Sequence, residues 1–169
     1  KRPGWGQVLS ALGNLFLDQD RPDKARPLFE KAVRLSPPDL SACYNLGRLK
    51  QLEGDHQGAI PLYQTMLGQR PDSGLVWNNL GVAYRETGNH EKAVESLQKA
   101  VRFSPDMAEA WNNLGVARDE QGLAEEAASA YTKAIEIDPD YASPRLNLGI
   151  LLQKAGQFKK ALDHYTAIL

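Results

Sequence analysis

The stretch from residue 77 to residue 117 opens with WNNLGVA at 77–83 and closes with WNNLGVA at 111–117. Trp77 and Trp111 stand 34 residues apart. An identical heptapeptide at that separation marks a repeat protein. Moving by the same step in both directions gives five registers. The Leu-Gly pair falls at Leu12-Gly13, Leu46-Gly47, Leu80-Gly81, Leu114-Gly115 and Leu148-Gly149. An alanine recurs at Ala25, Ala59, Ala93, Ala127 and Ala161, and a bulky residue four later at Phe29, Tyr63, Leu97, Tyr131 and Tyr165. A proline recurs at Pro37, Pro71, Pro105 and Pro139. Chance does not hold four such columns in phase.

One unit can be read from 74–107. Trp77, Leu80 and Tyr84, with Gly81 between, fall at helical spacings of three and four, so one face of a helix is apolar. Gly88-Asn89 breaks that helix. Ala93, Val94, Leu97, Ala100 and Val101 then set out a second one, which Pro105 cannot continue. Asp106 and Glu109 have the spacing of a capping box for the next helix. The spacing predicts helices near 7–19, 22–36, 41–53, 56–70, 75–87, 90–104, 109–121, 124–137, 143–155 and 158–169. Pro22 suits the first turn of its helix. Pro27 and Pro61 lie one turn further in, where they must face outward or forgo a hydrogen bond. Asp55 is placed to cap its helix. A glycine inside a helix costs about 1 kcal/mol relative to alanine, so five at one phase argue for packing, with Gly81 expected to meet Ala93.

The columns Trp77, Leu80, Gly81, Tyr84, Ala93, Leu97, Ala100 and Pro105 resemble the tetratricopeptide repeat. The resemblance implies an all-α fold, a right-handed α-solenoid (an α-α superhelix) of about five antiparallel helix pairs. It divides the chain into a lead-in at 1–5, units at 6–39, 40–73, 74–107 and 108–141, and a truncated, uncapped unit at 142–169. Trp5 is expected to pack on the first helix. The pattern departs at the Trp column, which reads Leu9, Cys43, Trp77, Trp111, Arg145, and at the Tyr column, which reads Phe16, Lys50, Tyr84, Arg118, Leu152.

Composition narrows the function. The chain has 169 residues and a net charge of −1, with an isoelectric point near 6.4. A basic stripe for nucleic acid is not indicated, and no apolar run reaches the length of a membrane span. A single cysteine, Cys43, excludes a disulfide framework within one chain and is expected to be a packed thiol. His56 and His90 share a column one unit apart, too distant to ligate one metal, and His164 stands alone. Asp18, Asp20 and Asp23 lack the remaining ligands of a calcium loop. No phosphate loop or nucleophile elbow appears. The expectation is a non-catalytic chain with no cofactor and no metal. A start at Lys1 without methionine suggests a fragment of something longer, with a cytoplasmic location expected.

In tetratricopeptide proteins the first helix of each unit lines a concave groove. Asn45, Asn79, Asn113 and Asn147 form one column there, and an amide offers two donors and an acceptor. The row resembles the asparagine ladder of O-GlcNAc transferases, which implies a grip on the backbone of an extended peptide. Polar residues held at one phase have, on this reading, no packing task. Beside them lie Arg48, Val82, Val116 and Ile150, and one turn on Arg85 and Asp119. Chaperone-binding tetratricopeptide domains provide a contrast. Asn14 and Asn45 match two of their groove positions, but Ser10, Leu75 and Asn79 stand where the cations should be, so a charge-assisted carboxylate grip is missing. The expected function is a scaffold holding a partner segment in the groove. The alternatives are the recognition arm of a larger enzyme such as a glycosyltransferase, and a structural protein self-associating through the uncapped C-terminal helix.

Overall fold

A computed structural model describes residues 4–35 and 37–169. Among the described residues it contains ten α-helices and no strand: α1 Trp5–Asp18, α2 Pro22–Val33, α3 Leu40–Leu52, α4 His56–Leu67, α5 Gly74–Glu86, α6 His90–Phe103, α7 Ala108–Glu120, α8 Ala124–Ile137, α9 Ala142–Lys154 and α10 Phe158–Thr166. They fall in two compact units, Lys1–Asp72 with α1–α4 and Ser73–Leu169 with α5–α10. The ten expected helices are all found. Three of the lead-in residues, 1–3, and Ser36, the expected end of the second helix, lie outside the described residues. Trp5 is not lead-in but the first residue of α1, and it is 54% exposed rather than packed on the helix.

Each helix pair closes on its glycine. A Cβ on Gly13 would stand 2.5 Å from the Phe29 ring, and one on Gly47 2.7 Å from Tyr63. Gly81 would meet Leu97 at 2.6 Å, Gly115 would meet Tyr131 at 2.6 Å, and Gly149 lies under Tyr165 in the same way. Real side chains do not approach so closely. The bulky column therefore lies directly on the glycine, and Phe29, Tyr63, Leu97 and Tyr131 are at most 2% exposed. This corrects the expected Gly81–Ala93 seam. The Ala93 carbonyl is 3.2 Å from the same point, but the group that needs the space is the Leu97 side chain. Gly74 lies against Ser104 and Gly81 against Leu97, so residue numbers rise on one helix as they fall on the other and the pair is antiparallel.

The turn inside each pair is equally regular. Gly54, Gly88, Gly122 and Gly156 have φ between 74° and 82°, in the left-handed region that favours glycine. The N–H of the next residue then reaches back across the turn, as in Asn89 to the Tyr84 carbonyl at 2.8 Å and Leu123 to the Arg118 carbonyl at 2.9 Å. In the first pair Asp20 takes this place with φ 55°, a conformation aspartate tolerates better than most residues. Asp55 caps α4 as expected, accepting from the Gly58 N–H at 2.9 Å. It also accepts from Lys50 at 2.5 Å, and that bond chiefly holds its carboxyl below the usual range. Lys50 so replaces a Tyr-column ring with an ion pair at the turn, and Arg118 does likewise with Glu126 at 3.1 Å. Pro22 opens α2, while Pro27 and Pro61 sit within helices but face outward, exposed, where a missing N–H costs least.

The capping box expected of Asp106 and Glu109 does not form. The cap of α7 is Met107, with no side-chain bond, and Glu109 accepts from Asn78 instead. The loop before α7 is held by Trp111, whose indole N–H donates to the Pro105 carbonyl at 2.9 Å. Arg145 stands where a third tryptophan would repeat, and its Nε donates to the Pro139 carbonyl at 3.2 Å. The substitution preserves the bond while losing the ring.

Three outcomes follow from this packing. Gly115→Ala forces a methyl against Tyr131, an overpacking cost of roughly 1–3 kcal/mol that exceeds the helix propensity gained; thermal unfolding followed by circular dichroism should show a lower midpoint, and an unchanged one refutes the seat. Among the described residues Asp20 is the one non-glycine with a left-handed backbone; Asp20→Gly relieves a strain of about 1 kcal/mol, partly offset by glycine's greater chain entropy, and should raise the midpoint. Burial, with the Asp39 charge second, pushes the Cys43 thiol up to about 11, and the residue is 1% exposed; Ellman's reagent at pH 8 should label it only after denaturant is added.

Candidate functional site

The expected groove column lies on the first helices of successive pairs, and the structure gives three of its amides, Asn45, Asn113 and Asn147, a side-chain partner. In Ser73–Leu169, Asn113 Nδ2 donates to Asn78 Oδ1 at 2.9 Å, and Asn147 Nδ2 donates to Asn112 Oδ1 at 3.0 Å. Asn78 in turn donates to Glu109 Oε1 at 3.2 Å. Asn78 and Asn112 are 0% and 5% exposed. A buried amide left unbonded costs about 1–3 kcal/mol, so these bonds fasten α7 to α5 and α9 to α7. The premise that the asparagines have no packing task is therefore corrected. Asn45, Asn113 and Asn147 each spend one N–H on the preceding pair, and an amide so bonded has a second N–H and a carbonyl oxygen besides.

Asn78 and Asn112 are the residues that reading the sequence as a ladder passed over. Their signal was present: each is the first asparagine of a WNN heptapeptide, three residues before the buried Gly81 or Gly115 and so on the glycine face of the helix. A polar residue on a core face must be bonded. In Lys1–Asp72 the arrangement differs. Asn45 Nδ2 donates to Asn14 Oδ1 at 2.6 Å, and Ser10, 3% exposed, donates to Asp39 Oδ1 at 2.5 Å while Asp39 caps α3. Asn79 is half-buried on α5.

The columns beside the amides divide into two kinds. Val82 and Val116 are half-buried, Ile150 is 40% exposed, and each lies one turn along its helix from Asn79, Asn113 and Asn147, on the same face. Arg48 is exposed with its guanidinium 5.8 Å over the Tyr44 ring. The next turn is a row of pairings. Arg85 reaches Glu86 at 2.5 Å and Glu120 at 3.8 Å, His90 is 3.6 Å from Glu120, and Asp119 pairs with Lys154 at 3.4 Å. Gln51 and Gln153 accept from the hydroxyls of Tyr63 and Tyr165 at 2.5 and 3.0 Å. Burial, and then the charges of Asp119 and Glu120, push the Tyr131 phenol well above its ordinary value, so it stays protonated. Surface ion pairs of this kind are worth about 0–1 kcal/mol each. Two of them, Arg85 with Glu120 and Lys154 with Asp119, run between neighbouring pairs.

Ser73–Leu169 also carries a cavity that none of the expected groove residues lines. That cavity is an open depression of about 620 Å³ between the start of α7 and the end of α8, lined by Asp106, Met107, Ala108, Glu109, Ile137, Asp138 and Tyr141. Among the described residues no group of three or more His, Cys, Asp or Glu is placed to hold a metal ion. No described helix is long and apolar enough to cross a membrane.

Comparison with known proteins bears on the family. No curated protein matches the chain. Among solved structures, MamA from Desulfovibrio magneticus RS-1 superposes with a TM-score of 0.86 at 23% identity, covering 96% of this chain and 92% of that one. TTC0263, a thermophilic TPR protein of Thermus thermophilus, gives 0.73 at 26% identity, covering 97% and 90%. YrrB, described as a TPR protein with an unusual peptide-binding site, gives 0.78 at 22% identity, covering 95% and 82%. These likenesses are of fold. The family profile described as Tetratricopeptide repeat matches residues 10–73, 44–108 and 79–142, and a second profile of that description matches 119–169. With those matches running almost end to end over helix pairs built on a single 34-residue period, the chain belongs to the tetratricopeptide repeat family.

Proposed function

We propose that the chain is a protein-interaction scaffold that works by binding alone, holding an extended segment of a partner along its first helices. Tetratricopeptide folds suggest such scaffolds, and the similar YrrB is described as having a peptide-binding site. The observation that carries the reading is the state of the amides on α7 and α9. Asn113 and Asn147 are fixed in orientation by their bonds to Asn78 and Asn112, yet each retains a donor and an acceptor. An ordered amide gives up little entropy on binding, which is the general advantage of preorganisation. An extended backbone offers alternating C=O and N–H groups that such amides can pair with at any sequence. Val116 and Ile150, on the same faces, give a strip for apolar side chains. In Lys1–Asp72, Asn45 and Arg48 on α3 give that unit a surface of its own, with a cation beside the amide.

The test separates binding from folding. Peptides selected from a displayed random library against the parent chain are measured by fluorescence polarisation on Val116→Glu, Ile150→Glu and Asn79→Ala variants. Ile150→Glu, at a position 40% exposed, is the change whose unfolding midpoint should stay close to the parent; Val116 packs against the Leu148 cluster and Asn79 has contacts of its own, so those two variants are compared only at temperatures where circular dichroism shows the parent's fold. Affinity for the selected peptides should fall by about tenfold or more, equivalent to about 1.4 kcal/mol. Peptides bound equally by all three variants and the parent would place the interaction elsewhere and defeat the reading.

A further inference from the structure

The cavity at the start of α7 lies inside the unit Ser73–Leu169, with α5 and α6 before it in the chain and α9 and α10 after it. Its volume of about 620 Å³ is that of a ligand pocket, for which roughly 300–1,000 Å³ is usual. Its walls are of two kinds. Met107, Ile137 and Tyr141, all half-buried, give it an apolar and aromatic lining. Asp106, Glu109 and Asp138, all exposed, bring three carboxylates to it, and no cation lines it. One junction earlier in the same unit the columns of Ala108, Glu109 and Asp138 hold Gly74, Leu75 and Ser104. There Gly74 lies so close to Ser104 that a Cβ would stand 2.3 Å from its hydroxyl oxygen. The acidic cavity thus belongs to its own junction and is not a by-product of the repeat.

Its charges are uncompensated. Of the other carboxylates on α5 and α7, Glu86 and Glu120 pair with Arg85, and Asp119 pairs with Lys154. Among the described residues no cation pairs with Asp106, Glu109 or Asp138. Arg145, on α9 beside the cavity's second loop, gives its Nε to the Pro139 carbonyl instead. Burial, opposed by a hydrogen bond with Ser143, and then the charges of Glu109 and Asp138 push the Tyr141 phenol above its ordinary value. Carboxylates from α7 and from the end of α8 therefore act on one ring. Like charges gathered at one hollow repel, and a bound cation relieves them.

The cavity adjoins the groove amides. Glu109 Oε1 accepts from Asn78, which accepts from Asn113. Glu109, Asn113 and Val116 are spaced by four and three on α7, so they lie along one face. Four residues of helix rise about 6 Å, less than two residues of extended chain at about 3.3 Å each. A segment lying on Asn113 reaches the cavity with a side chain one or two residues away. Arginine is the side chain these walls fit. Its stem can lie on Met107 and Ile137 with its head among charges. Its planar fork donates to carboxylates in pairs and stacks on an aromatic face, which an ammonium does less well. We infer that the cavity seats an arginine side chain of the partner segment held along α7, and so fixes the register of a segment whose backbone contacts to the amides carry no sequence information. The path of that segment rests on the proposed groove, while the chemistry of the seat does not.

The test therefore has an arm without the groove. N-acetylargininamide is titrated to roughly 20 mM, a range that reveals weak association, into the nitrogen-labelled 169-residue chain and followed by nuclear magnetic resonance. Backbone signals of residues 106–109 and 137–141 should move and saturate. The neutral analogue N-acetylcitrullinamide should leave them in place. The double variant Asp106→Asn, Asp138→Asn removes two charges at exposed positions, and its new amide oxygen can still accept from the Asp140 N–H that now bonds Asp138. It should keep the parent's circular dichroism spectrum and bind argininamide about tenfold more weakly or worse. Library peptides selected on the parent should share an arginine. Replacing it with citrulline should cost about tenfold on the parent and nothing further on the double variant, the mark of a direct pairing. No movement of those signals, or equal movement with both amides, overturns the seat and leaves the groove reading standing. Peptides that bind without a common basic residue overturn it as well. Argininamide binding at the cavity, with peptide affinity unchanged by Ile150→Glu, upholds the seat and defeats the groove.

Discussion

A side chain lying flat on a glycine sets the dimensions of everything else in this molecule. Phe29, Tyr63, Leu97, Tyr131 and Tyr165 each rest where their pair's glycine has no Cβ. The helix therefore accepts the local propensity cost of glycine, about 1 kcal/mol, and in the first four pairs the bulky group is almost wholly buried in return, while Tyr165 is half-buried. Because one such contact recurs per pair, the spacing of α1 from α2, of α5 from α6 and of α7 from α8 is set by the same few atoms. The invariant Ala25, Ala59, Ala93, Ala127 and Ala161, exposed by no more than 2%, complete the close approach. Interiors packed to crystal-like density transmit such a constraint instead of absorbing it.

Within that frame the polar groups between pairs decide how one pair meets the next. Asn113 on Asn78 and Asn147 on Asn112 are bonds between side chains at equivalent places, so the geometry of one junction reappears at the next. The ion pairs of Arg85 with Glu120 and Lys154 with Asp119 run between the same helices one or two turns along. Their energies are small and solvent-screened. The buried amides carry the directional part, since an amide displaced from its partner would be left with unsatisfied groups in an apolar setting.

The fold was legible because it is written five times. Period, helix limits to within a few residues and the outward prolines come from patterns of spacing, and spacing is what a sequence displays; Gly88 was legible as a helix breaker, whereas its left-handed backbone came from the structure. The partner of Gly81 was misjudged because a column of alanines looks like a small-on-small seam; only the three-dimensional direction of Leu97, four residues on, shows which group occupies the space. Glu109 was misassigned for a similar reason. A capping box is a local pattern, but Asn78, 31 residues earlier, competes for the same carboxylate. The candidate site was legible only as a list of columns. That Asn79, Val82 and their repeats share one side follows from helical period, whereas the fastening of Asn113 to a buried neighbour requires knowing which helices touch.

Arg145 shows what this architecture leaves free to vary. It reaches the Pro139 carbonyl much as Trp111 reaches that of Pro105, so what the connecting loop requires is an N–H of sufficient reach. A flat neutral ring and a cationic fork meet that requirement equally. Solvent-facing character at each junction can then change from greasy to charged with the backbone beneath it held in place, and a scaffold of uniform bricks can present a different electrical signature at every step.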